Sequence, residues 1–171
     1  MTKSKRILIF GNSGSGKSYL ARAISSQWSL PVVSLDTLFW EPGSYVTKRP
    51  ADLVQLDVQE EAAKDSWIIE GVFGELVAHA LARAEVVIWL SLGTEECLSA
   101  LKERGFTCSD EAQRPEMERS FEKLLEWAKG YEVRTNERSF EGHKRLFDEY
   151  VGTKVRLNDR AAIDAYIRSS T

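Results

Sequence analysis

The sequence predicts an α/β protein in which a parallel sheet is covered by helices on both faces. Three observations point that way. Short apolar runs recur along the chain, the segments between them are long enough to hold helices, and a glycine-rich turn separates the first run from the first helical pattern. Ile7 to Phe10 is continuously apolar, as a strand buried on both faces should be, and reads as the central strand. Leu20, Ala23, Ile24 and Trp28 then recur at helical spacing, so strand, turn and helix follow one another as the start of a βα unit. Val32 to Leu35, Trp67 to Ile69 and Val86 to Leu90 are read as three more parallel strands. Lys154 to Leu157 alternates polar and apolar residues, which fits a last strand at the sheet edge.

The connectors carry their own signals. Leu76, Val77, Ala80 and Leu81 form one helical stripe. Thr94 is expected to cap a helix whose first turn holds Glu95 and Glu96, favourable at the positive end of the macrodipole. Pro115 opens a helix with Met117, Phe121, Leu124, Leu125 and Ala128 inward. Phe140, Leu146, Phe147 and Tyr150 line another that Gly152 would end, and a C-terminal helix from about Ala161 takes Asn158 or Asp159 as its cap. Two polar insertions interrupt the alternation, Trp40 to Asp65 and Arg104 to Arg119.

At 171 residues with 43% apolar content the chain is expected to form one domain, residues 1–171. Lys plus Arg is 23 against 26 Asp plus Glu, a net charge of -3, which argues against nucleic acid as the main partner. Cys97 and Cys108 belong to no metal-binding pattern and read as thiols of a reducing compartment. The apolar run after the basic start is too short for a signal peptide, and no stretch approaches the roughly 18 apolar residues needed to span a bilayer. The expectation is a cytoplasmic protein with no membrane partner, acting as a monomer or homodimer.

Gly11, Asn12, Ser13, Gly14, Ser15, Gly16, Lys17 and Ser18 match G-x-x-x-x-G-K-[ST], the P-loop or Walker A motif, in the context that gives it meaning, between a buried strand and a helix. Glycines let the chain wrap with amide N–H groups inward, Lys17 reaches the β and γ phosphates of ATP, and the Ser18 hydroxyl binds the magnesium ion between them. The expected nucleotide-binding set runs from Gly11 to Ser18 and includes the next residue, Tyr19. A dinucleotide fingerprint is excluded, because Gly14 and Gly16 would require a third glycine where Tyr19 stands. The fold class is therefore a P-loop NTPase, a three-layer α/β/α sandwich.

Acidic residues at the other strand ends narrow the use of the nucleotide, because those ends line the ligand crevice of a parallel sheet. Asp36 either orients and deprotonates an acceptor hydroxyl or caps the turn beginning at Thr37. Glu70 either holds magnesium through water, as a Walker B acid does, or is a solvated strand-end carboxylate; Gly71 would let substrate approach the backbone. Arginines in the second insertion suit phosphoryl transfer, since a guanidinium closing over the equatorial oxygens stabilises their charge, and Arg114 and Arg119 are the catalytic candidates. His79 and His143 read as structural.

The stretches GNSGSGKSYLARAIS, LPVVSLDTLFWEPG, SWIIEGVF and RAEVVIWLSL resemble the adenylate-kinase-like P-loop kinases, and most closely the group known as DNA topology modulation proteins. The resemblance covers roughly residues 1–105. It implies a five-stranded parallel sheet ordered 2-3-1-4-5, an acceptor-binding insertion at about residues 40–65 and a lid at about 104–119. By position it makes Gly14 to Ser18 the phosphate and magnesium ligands, turns Asp36 to the acceptor, places Trp40 and Arg49 in the acceptor pocket, and makes Arg104, Arg114 and Arg119 lid candidates. It also makes the loop Asn158 to Arg160 a resting place for adenine. Glu70, Val72-Phe73 and Ser44 depart from that group's usual Asp, Asn-Tyr and Trp.

The reading is an ATP- and magnesium-dependent kinase moving the γ-phosphoryl group to a small-molecule acceptor such as a nucleoside monophosphate. Lys17, Asp36, Arg114 and Arg119 are its catalytic residues, and Ser18 and Glu70 its metal residues. The alternative is a nucleotide-dependent regulatory or DNA-topology-modulating protein with little acceptor-directed activity. A motor-type ATPase is disfavoured because Glu70 has no adjacent second acid.

Overall fold

The computed structural model describes residues 5–42, 47–108 and 111–169. Its five strands are β1 (Arg6–Gly11), β2 (Val32–Ser34), β3 (Trp67–Gly71), β4 (Val86–Leu90) and β5 (Thr153–Leu157), joined in one sheet of order β2-β3-β1-β4-β5. Every pairing is parallel. The sheet class, order and flanking helices match the expected P-loop NTPase sandwich.

Eight α-helices surround the sheet among the described residues: α1 (Lys17–Trp28), α2 (Leu35–Phe39), α3 (Ala51–Ala63), α4 (Gly74–Leu81), α5 (Thr94–Arg104), α6 (Arg114–Lys129), α7 (Phe140–Glu149) and α8 (Arg160–Ser169). The pleat of β1 divides the core. Leu8 and Phe10 face a layer built from α3, α4 and α7, with Val54, Val58, Val77 and Trp89 in the same cluster. Ile7 and Ile9 face the opposite layer, with Leu20 and Ile24 of α1 and Ile163 of α8. A continuously apolar β1 is thus the consequence of helices on both sides.

Local structure departs from the sequence expectations at several points. Leu35 is not the end of β2 but the first residue of α2, and fully buried Leu35 packs into the core from there. Val32 is 40% exposed, so β2 is the second edge of the sheet, opposite β5. Gly93, not Thr94, caps α5, and the Thr94 hydroxyl donates instead to Glu132 at 2.9 Å. Asp159 rather than Asn158 caps α8, accepting from the Ala162 amide at 2.7 Å. The first insertion is largely α3, which buries Val54, Val58 and Ala62 against the sheet; before it Trp40 and Lys48 form an antiparallel bridge. Ser44 lies outside the described residues. No described helix is long and apolar enough to cross a membrane.

Candidate active site

Strand register sets the site. Ser34, Glu70 and Ile9 lie side by side across β2, β3 and β1, so Asp36, Glu70 and the loop after Gly11 emerge together on the carboxyl rim. Between Gly11 and α1, Gly14 and Gly16 hold φ of 80° and 96°, left-handed conformations that other residues adopt only under strain. Arg160 closes the outside of this loop: its Nη2 donates to the Gly14 carbonyl at 2.8 Å, and its Nη1 would lie 2.5 Å from a Cβ on Gly16.

Lys17 is buried and its ammonium donates to the Asn12 carbonyl at 2.7 Å. Burial lowers its pKa, against the fields of Glu70 and Asp36, which raise it. Ser18 donates its hydroxyl to Glu70 Oε1 at 3.0 Å, and Glu70 is 2% exposed, so it is a buried partner of the P-loop rather than a solvated strand end. The two expected metal residues are therefore brought together.

The donor set fits a magnesium–nucleotide polyphosphate. The N-terminus of α1 has no side-chain cap, which leaves its first-turn amides for an anion. Lys17 supplies a cation on the same loop, and Ser18 with Glu70 supplies oxygen ligands suited to magnesium. The Ser15 hydroxyl is buried with no hydrogen-bond partner among the described residues.

Asp36 sits in the first turn of α2, solvent-accessible at the mouth of the site. The walls around it still push its pKa up, and Glu70 adds to that, while Lys17, Arg104 and a hydrogen bond involving the Trp40 side chain pull it down. Lys17, Glu70, Asp36 and Arg104 consequently share one electrostatic environment.

The remaining expected residues fall elsewhere. Tyr19 is 51% exposed and its hydroxyl donates to Asp164 of α8, so its side chain faces away from the loop interior, while its backbone amide stays in the uncapped first turn of α1. Asn12 is fully buried, its side-chain Nδ2 donating to the Ala128 carbonyl at 3.0 Å and its Oδ1 accepting from the Ser13 amide at 2.8 Å, so its side chain points away from the loop interior. Arg114 is exposed and paired with Glu111, its Nε donating at 2.7 Å, and Arg119 is exposed on α6. Of the three arginines expected in a lid, Arg104 is the one whose charge acts on Lys17 and Asp36. Arg49 is held by the Leu38 carbonyl at 2.8 Å and Asp57 at 2.7 Å, a strut between α2 and α3 rather than an open pocket cation. Gly71 does not open the backbone to substrate: a Cβ there would lie 2.7 Å from Leu35 Cβ, so its role is to let α2 pack on β3.

Two features escaped the sequence. Arg138, paired with Glu75, lies 4.8 Å from the Phe39 ring centroid and 4.6 Å from that of Phe73, over a ring pair stacked at 4.3 Å. Behind the site, Trp89 Nε1 donates to the Tyr131 hydroxyl at 3.3 Å, which bonds His143 Nδ1 at 2.7 Å, while His143 Nε2 donates to the Val72 carbonyl at 3.0 Å. Burial takes the His143 pKa down to about 3, which keeps the ring neutral. These contacts join residues far apart in the chain, and no local spacing signals them.

A family profile described as "ATPase family associated with various cellular activities (AAA)" matches residues 7–142. The chain belongs to the AAA family. An uncharacterized AAA domain-containing protein, ycf46, of Gracilaria tenuistipitata var. liui is 53% identical over 36 residues, which is 21% of this chain and only 7% of that relative's length. Among solved structures, a gluconokinase from Sinorhizobium meliloti 1021 is similar with a TM-score of 0.56 and 15% identity, over 99% of this chain and 91% of the other. A shikimate kinase from Acinetobacter baumannii, in complex with shikimate, is similar with a TM-score of 0.56 and 12% identity, over 98% of this chain and 91% of the other. At these identities the likeness is one of fold. AAA membership implies nucleotide use, and the chain shares its overall fold with the gluconokinase and the shikimate kinase.

Proposed function

We propose that this AAA-family chain is an ATP-dependent kinase that transfers the γ-phosphoryl group to a small acceptor such as a nucleoside monophosphate. The observation that carries this reading is Asp36. An acceptor-side carboxylate stands at the mouth of the phosphate loop in the same field as Lys17, Glu70 and Arg104. Magnesium ATP, when bound, supplies the transferable phosphoryl group. Lys17 neutralises charge on the phosphate chain, Ser18 and Glu70 hold the magnesium, and the first-turn amides of α1 orient the phosphates. Asp36 would orient the acceptor hydroxyl, and its raised pKa suits it to accept that proton as the acceptor oxygen bonds the γ-phosphorus and the β–γ bridging oxygen leaves with ADP. Arg104 balances charge at the mouth, and Arg114 and Arg119 would act only after their helix moves toward the loop.

The same reading treats residues 1–171 as one domain, with an acceptor-binding insertion at about 40–65, a lid at about 104–119, and a cytoplasmic location. The likeness of the LDTLFWEPG stretch to DNA topology modulation proteins supports the acceptor insertion as a functional element. Family membership favours a second reading, an ATP hydrolase whose nucleotide state regulates a partner. Kinase chemistry has the better support because Glu70 has no second acid beside it to polarise water, whereas the Asp36 carboxylate feels the charges of Lys17 and Glu70 at the mouth of the loop.

The test is ADP release from magnesium ATP with a panel of nucleoside monophosphates, sugars and shikimate-like acids. At least one acceptor should raise turnover by about tenfold or more, and Lys17→Ala should abolish the stimulated rate. Turnover indifferent to every acceptor would favour hydrolysis, and unchanged ATP affinity and rate in Lys17→Ala would contradict the role given to that lysine.

A further inference from the structure

Asn12 occupies an unusual position. Its side chain is fully buried and satisfied at both ends, Oδ1 accepting from the Ser13 amide at 2.8 Å and Nδ2 donating to the Ala128 carbonyl at 3.0 Å. Its own carbonyl accepts both the Lys17 ammonium at 2.7 Å and the Ser15 amide at 3.2 Å. One residue therefore touches the catalytic lysine and another helix at once.

That helix is α6. Ala128 lies in its last turn and is the one buried residue of α6; its carbonyl accepts from the Gly130 and Tyr131 amides as well as from Asn12. Ala128 joins Leu98 and Leu101 of α5 in a small cluster separate from the two main cores, with Leu124 and Leu125 packed against it. The helix is anchored at its C-terminal end and exposed or half-exposed over the rest of its length. With 16 residues it is about 24 Å long, so its N-terminal end, which carries Arg114, stands far from the anchor.

We infer that Asn12 is a positioning residue that couples the setting of α6 to the ammonium of Lys17. Lys17 must leave the Asn12 carbonyl to reach a phosphate, and that carbonyl is aimed by a side chain fixed to the end of α6. Loading the cradle alters the loop that holds the anchor of α6, and the setting of α6 in turn decides how tightly Lys17 is held. The inference rests on the nucleotide being bound at Lys17, as proposed above.

Hydrogen exchange of the full chain, with and without magnesium and a nonhydrolysable ATP analogue, separates the two claims. Exchange should slow in peptides spanning residues 11–18 and also in peptides spanning 114–129. In Asn12→Ala the first protection persists while the second falls by about tenfold or more. Protection of 11–18 without any change in α6 in the unsubstituted protein overturns the coupling and leaves nucleotide binding intact; no protection of 11–18 overturns both. Equal protection of α6 in the variant also overturns the coupling. If Asn12→Ala does not fold, Asn12→Asp, which keeps the acceptor for Ser13 and loses the donor to Ala128, is read in the same way. A merely structural Asn12 would loosen both peptides together, and restoring the amide in Asn12→Gln would then not recover α6 alone.

Discussion

Gly71→Ala tests how the fold places Asp36. A methyl at Gly71 would lie 2.7 Å from Leu35 Cβ and 2.9 Å from its Cδ1, inside any tolerable contact, and Leu35 is fully buried with no room to retreat. Overpacking of this kind costs about 1–3 kcal/mol. Leu35 immediately precedes Asp36 in α2, so relieving the clash shifts the carboxylate as well. A displacement near 1 Å at a reacting group can cost on the order of 100-fold in rate, so kcat should fall by about 10- to 100-fold with ATP affinity little changed. Leu35→Ala alone removes a buried side chain and should cost about 2–5 kcal/mol. Leu35→Ala removes the Cδ1 and Cγ contacts at 2.9 and 3.1 Å but keeps Cβ at 2.7 Å, so in Leu35→Ala/Gly71→Ala the cost of Gly71→Ala should fall in part, a coupling of about 1 kcal/mol. Urea unfolding followed by circular dichroism measures all four corners of the cycle. Additivity within about 0.5 kcal/mol would refute the packing argument, and with it the claim that Gly71 fixes α2 rather than admitting substrate.

Buried His143 has its pKa taken from 6.5 to about 3, so the unfolded chain binds its proton first and stability is lost as pH falls below about 6.5. That loss amounts to about 2 kcal/mol at pH 5 relative to pH 8, and His143→Gln should flatten this part of the urea-midpoint profile. Asp36→Asn should lower kcat by about 100-fold or more while leaving ATP affinity nearly unchanged, as measured by acceptor-stimulated turnover and nucleotide titration. Because desolvation by the walls of the site raises the Asp36 pKa above its ordinary value of 3.8, the acid limb of the kcat profile should lie above that value and disappear with Asp36→Asn. Ser18→Ala removes the hydroxyl bonded to Glu70 and should raise the magnesium concentration for half-maximal activity by about 10-fold or more, with Lys17-dependent nucleotide binding retained.

Much of the fold was legible in the residues. β4 runs from Val86 to Leu90 as its apolar run indicated, and the central place of β1 followed from unbroken apolarity between Ile7 and Phe10. Both depend on burial, which leaves a local trace. The end of β2 was misread because Leu35 is apolar whether it closes a strand or opens a helix, and only packing on Gly71 distinguishes the two. Within the site, Lys17, Ser18 and Glu70 were legible because motif spacing and strand ends fix them. The direction of the Tyr19 side chain, toward Asp164, was not legible because adjacency to the motif does not say which side of α1 a side chain leaves from.

By itself, then, the sequence determined that a phosphate loop follows a buried strand and that carboxylates end the neighbouring strands, because backbone geometry and burial act over a few residues. The tertiary structure decided the partners. Strand register brought Glu70 to Ser18; the approach of α2 to β3 set the need for Gly71; the fold placed Arg104 in the field of Lys17; and the end of α6 claimed the amide of Asn12. Such contacts join positions far apart in the chain, and their energy depends on where whole elements come to rest.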